Sequence, residues 1–203
     1  MSLLIPTGMD GTTGIFRTMQ SSDTLAPSAN SSFVKTLFTA SANATITNTT
    51  TETSTFGTGQ GSRTFSANTF SVGTTLRIQG GGIYSAAAIA PGNLTVKIKL
   101  GSTILAQATL GSLLSGASSL GFQFEANVVC QAIGASGSFV TTGSLDYATT
   151  STGTRQFGDL NNAGTAVTVD TTSSQLLDVT LTWQTASASN VVTVLSSTLE
   201  QLW

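Results

Sequence analysis

Nine carboxylates and seven cations are the charged side chains of this 203-residue sequence, so its capacity for acid–base chemistry can be read one residue at a time. The acids are Asp10, Asp23, Glu52, Glu125, Asp146, Asp159, Asp170, Asp178 and Glu200. Glycoside hydrolysis needs two carboxylates about 5–10 Å apart. Glu125 and Asp146 reach that spacing only if their strands pair, and two solvated acids on outer strand faces is the plainer reading. No acid-rich loop has the pattern of a calcium site. Lys97 and Lys99 form a local basic pair, read either as a solvated strand face or as a docking patch for an acidic partner. Gly57-Thr-Gly-Gln-Gly61 is glycine-rich, but no Gly-Lys-Ser/Thr follows it and no helix pattern begins there, as a phosphate loop requires; it reads as a turn. Gly80-Gly81-Gly82 interrupts a strand pattern, which predicts a bulge or a close backbone approach. Cys130 lies on an apolar face and reads as an inert buried thiol.

The residue types that are missing narrow the chemistry further. The sequence has no His and one Cys, which removes Ser-His-Asp and Cys-His nucleophiles, His-ligated zinc and a Cys-based zinc site. The expectation is a non-enzymatic chain with no catalytic residue, no cofactor and no metal site. A formal charge of −2 and a pI near 4.8 argue against a nucleic-acid partner, which needs clustered Lys and Arg. No run reaches the ~18 apolar residues of a membrane span, so no membrane partner is expected either. The opening MSLLIPTGMDG lacks the basic start and apolar core of a signal peptide.

The elements that must carry these residues are strands. Residues 94–100 alternate strictly, with Leu94, Val96, Ile98 and Leu100 on one face and Thr95, Lys97 and Lys99 on the other. Residues 121–132 place Phe122, Phe124, Ala126, Val128 and Cys130 opposite Gln123, Glu125 and Asn127. Residues 139–147 and 177–183 alternate in the same way, and weaker strands are predicted near 42–48, 62–65, 74–84, 103–110, 163–170 and 191–202. Residues 110–120 have room for one helical turn. Eight to ten short strands with polar outer faces predict an all-β antiparallel β-sandwich, jelly-roll-like. Residues 1–32 lack periodicity and read as an extended N-terminal arm; residues 33–203 form the sandwich. Trp183 is assigned to the core. Phe38, Phe56 and Phe70, near strand ends, are read as core or interface anchors.

The composition then acquires a local cause. Charged residues are 8% of the chain, against about 25% in an ordinary soluble domain. Thr and Ser number 37 and 27. A β-branched hydroxyl side chain suits the wet face of a pleated sheet. It lacks the charge that keeps surfaces apart. Such a surface is suited to meeting other subunits, where charges are costly to desolvate.

Three motifs carry a resemblance: Thr50-Thr51-Glu52-Thr53, Ala67-Asn68-Thr69-Phe70-Ser71-Val72-Gly73 and Lys99-Leu100-Gly101, with Arg17-Thr18-Met19 and Asp23-Thr24-Leu25 upstream. Over most of residues 15–185 the chain resembles a loosely defined group of jelly-roll-like structural proteins of tailed bacteriophages. The resemblance implies a virion component: a capsid decoration protein, head fibre or tail appendage, commonly trimeric, bound to a major capsid or tail protein. Leu3, Leu4, Ile5 and Arg17 in the arm, with the terminal Trp203, are the expected partner contacts. An alternative of another class stays open, a receptor- or carbohydrate-binding β-sandwich of a phage tail, for which Tyr84, Tyr147 and Trp203 are the polar-tipped aromatic candidates.

Overall fold

The computed structural model describes residues 34–111 and 113–202, which form strands, turns and loops with no helix among them. The strands are β1 (Val34–Ala40), β2 (Ala44–Thr47), β3 (Thr53–Ser54), β4 (Gly59–Gly61), β5 (Thr64–Phe65), β6 (Thr75–Ser85), β7 (Leu94–Leu100), β8 (Thr103–Leu110), β9 (Leu120–Ala132), β10 (Gly137–Ala148), β11 (Arg155–Asp159), β12 (Val167–Val169), β13 (Gln175–Trp183) and β14 (Val191–Leu202). They form two sheets, and each pairing is antiparallel. The larger sheet runs β11-β10-β9-β6-β14-β1-β4, with β12 on β10 and β2 on β14. The smaller runs β3-β13-β7-β8, with β5 on β13.

Registers explain why there are more strands than the alternation predicts. β1 and β2 run end to end along β14, facing Thr198–Leu202 and then Val191–Val194. β11 and β12 share one side of β10 in the same way, and β3 and β5 share one side of β13. Among its crossings, the chain passes from the larger sheet to the smaller between β6 and β7 and from the smaller to the larger between β13 and β14. Because β14 lies beside β6 and β13 beside β7, the two crossings are neighbours, a jelly-roll-like wrapping. The nine-and-five division departs from an even pair of four-stranded sheets.

The core lies between the sheets and is the alternating set read from the sequence. Leu94, Val96, Ile98 and Leu100 of β7 and Leu177, Val179, Leu181 and Trp183 of β13 meet Leu76, Ile78, Phe122, Phe124, Val128, Leu145 and Leu199 of the larger sheet, all buried. Each large side chain removed from water contributes roughly 1.5–3 kcal/mol. Cys130 is buried and free, and burial pushes its thiol pKa up, which keeps it protonated and unreactive. Phe38, Phe56 and Phe70 are buried too, so they are core rather than interface anchors.

Two local expectations are corrected. Residues 57–61 are not simply a turn: Gly59–Gly61 is β4, paired with Phe38–Ala40. A Cβ at Gly59 would meet the Phe38 ring and the Thr39 carbonyl, so the glycines let this edge close over Phe38. Among the described residues of 110–120 there is no helical turn; Leu113 and Ala117 lie between β8 and β9 and are buried in the core. The Gly80–Gly82 triplet behaves as predicted. The β6–β14 register slips between Val194 and Ser196 beside it, and a Cβ at Gly82 would collide with the Thr193 carbonyl oxygen.

Candidate functional site

Arg63, Arg77, Lys97, Lys99 and Arg155 are each paired with an acid. Glu52, just before β3, accepts from Lys97 Nζ at 2.7 Å through Oε2 and from Lys99 Nζ at 2.6 Å through Oε1. The acidic partner of the Lys97–Lys99 pair is therefore within the chain. The hydrogen bond from Lys97, then that from Lys99, holds the Glu52 carboxyl at about 2, below the usual carboxylate range and against a smaller opposing effect of desolvation. Arg63 donates from Nη1 to Asp178 Oδ1 at 2.8 Å, and its guanidinium lies 4.7 Å from the centroid of Phe56 and 5.4 Å from that of Phe38. Arg77 Nε donates to Glu200 Oε2 at 2.8 Å across β6 and β14. Arg155 Nε donates to Asp146 Oδ1 at 2.6 Å across β10 and β11. Each Arg among the described residues thus meets an acid.

The outer face of the larger sheet holds a concavity of about 470 Å³. Its floor is two neighbouring cross-strand rows. One is Ser196–Gly81–Gln123–Asp146–Phe157, taken from β14, β6, β9, β10 and β11. The next is Thr198–Gln79–Glu125–Ser144. The floor dips at Gly81, which has no side chain to fill it. Asp146 is fixed at one oxygen by Arg155, and Gln123 Nε2 donates to its Oδ2 at 3.3 Å. Phe157 is 75% exposed. β9 and β10 do pair, and Glu125 and Asp146 lie two rungs of the ladder apart on the same face. Asp146 is nevertheless committed to Arg155 and Gln123, which suits it to holding a shape more than to exchanging a proton.

The aromatic candidates of the carbohydrate-binding alternative fall elsewhere. Tyr84 and Tyr147 are buried, and their hydroxyls donate to the Ala148 carbonyl at 2.6 Å and the Gly111 carbonyl at 2.7 Å. Desolvation pushes the Tyr84 phenol up to about 12. These rings are pillars of the core. Phe157 was not marked by the sequence reading, because its strand is short and its neighbours Gln156 and Gly158 give no alternation; the signal was an aromatic among polar residues. The partner contacts expected at Leu3, Leu4, Ile5, Arg17 and Trp203, and the arm at 1–32, lie outside the described residues. Among the described residues no group of three or more His, Cys, Asp or Glu is placed to hold a metal ion. No protein-family model matches this chain, and no curated protein sequence matches it.

Proposed function

We propose that this chain is a non-enzymatic structural protein of a tailed-phage virion, a homo-oligomer and by resemblance a trimer, seated on a major capsid or tail protein through its N-terminal arm. The observation that supports this reading is the way the sandwich disposes of its charge. The cations at 63, 77, 97, 99 and 155 are each tied to an acid, and the rest of the wet faces is largely Thr, Ser, Asn and Gln. Burying such a face against another subunit carries little of the desolvation cost of unpaired charges.

The test is to add the full chain and a variant lacking residues 1–32 to particles assembled without the protein. The full chain is expected to bind with a fixed stoichiometry, and the truncated sandwich to remain folded but unbound. Equal occupancy by the truncated variant would contradict the anchoring role of the arm.

A further inference from the structure

We infer that the concavity on the outer face of the larger sheet is a binding site for a neutral oligosaccharide. The argument begins with its shape. Five strands contribute to one row, so the trough extends across four strand spacings, roughly 19 Å at ~4.8 Å each. A trough of that length suits a chain of several sugar rings better than a single compact ligand. Its continuation beside Glu125 and Ser144, a smaller hollow of about 220 Å³ reaching Thr142, lies on the same face.

The chemistry of the lining selects the class. Gln79 and Gln123 each offer an amide donor and acceptor, Ser144 and Thr198 offer hydroxyls, and Glu125 and Asp146 offer carboxylate acceptors. Amides and carboxylates with two adjacent hydrogen-bonding positions match the adjacent hydroxyls of a pyranose. Phe157, the exposed aromatic among the described residues, sits at the end of the row directly opposite Asp146, where its ring can cover the apolar C–H face of a sugar. Charge excludes the competing classes. No Lys or Arg lines the trough, and the nearby Arg155 is taken by Asp146. Phosphorylated, sulfated and carboxylated ligands would meet two carboxylates and no cation.

The polar anchor is built in advance. Asp146 is mostly buried and held by Arg155 and Gln123, so its orientation is set before a ligand arrives, which lowers the ordering cost of binding. The site is independent of virion assembly: an oligomer that binds particles but no sugar would remove this inference and leave the structural role standing.

The experiment is an amide NMR titration of the full chain with cellopentaose, maltopentaose, xylopentaose and chitopentaose in turn, each carried to about 10 mM because single-site sugar affinities near 1 mM correspond to a weak but measurable complex. The expected result is a saturable shift with at least one of them at Gly81, Gln123, Asp146 and Phe157. Phe157→Ala and Gln123→Ala are each expected to weaken it at least about 10-fold, Phe157→Ala with the melting temperature unchanged. No shift from any of the four sugars, shifts confined to another face, or binding that Phe157→Ala leaves intact would each overturn the assignment.

Discussion

Glu52 and Lys97 are 45 positions apart in the sequence, and the Lys97 Nζ donates to the Glu52 Oε2 at 2.7 Å, with Lys99 closing on the other carboxylate oxygen. The acid is thereby held at about 2 in the folded chain, against an ordinary value of 4.5. Its folded pKa is depressed, so the stabilisation is fully present above pH ~4.5 and is lost as pH falls towards 2. The group is partly solvated, which limits the contribution to about 1 kcal/mol. Urea unfolding of Glu52→Gln at pH 7 is expected to show a loss of that size relative to the parent chain. The difference should shrink to a small fraction near pH 2, where about half of the parent carboxyl is itself neutralised. A gap as large at pH 2 as at pH 7 would show that Glu52 acts through packing.

Arg63 ties three elements together. Its guanidinium faces the Phe38 and Phe56 rings, which meet edge to face at 5.4 Å, and it pairs with Asp178 of β13. A lysine keeps the charge and loses the flat stacking surface. Arg63→Lys is expected to cost about 1 kcal/mol and Arg63→Ala about 2 kcal/mol in chemical denaturation. Equal stability of the parent and both variants would remove the lock.

The glycines at the β6–β14 bulge carry a sharper expectation. Gly82→Ala places a Cβ against the Thr193 carbonyl oxygen, a backbone atom held in the ladder. It is expected to destabilise by 2 kcal/mol or more, at about that order for strain beside a bulge. Gly111→Ala is the control, because a Cβ there has nothing within 4 Å. That variant is expected to stay within about 0.5 kcal/mol of the parent.

Tyr84 tests the buried polar accounting. Its hydroxyl donates to the Ala148 carbonyl at 2.6 Å in the core. Tyr84→Phe leaves that carbonyl without this donor while filling the same space, so thermal unfolding is expected to report a loss of about 1–2 kcal/mol. An unchanged melting temperature would mean that the carbonyl finds another partner.

Much of the sandwich was legible because long strands must alternate over a two-sided core. β7, β8 and β14 begin and end where the pattern does: Leu94–Leu100, Thr103–Leu110 and Val191–Leu202. The short strands β3, β4 and β11 were not, since two to five residues cannot display a period; β3, for one, is paired with β13, far away in sequence. The motifs behind the resemblance have physical explanations in turns. Asn68 and Gly73 adopt positive φ, Phe70 between them is buried, and Gly101 at φ 61° opens the two-residue β7–β8 hairpin. They report how the chain folds. The ion pairs were hidden because each joins residues that only the folded chain brings together, and the trough was hidden because it is a property of five strands side by side.

Sedimentation velocity of the full chain at micromolar concentration tests the oligomeric claim most directly. The proposal predicts one stable species at three times the 20.6 kDa chain mass, unchanged in high salt because its surfaces do not rely on free charge. A single species at the mass of one chain would contradict it.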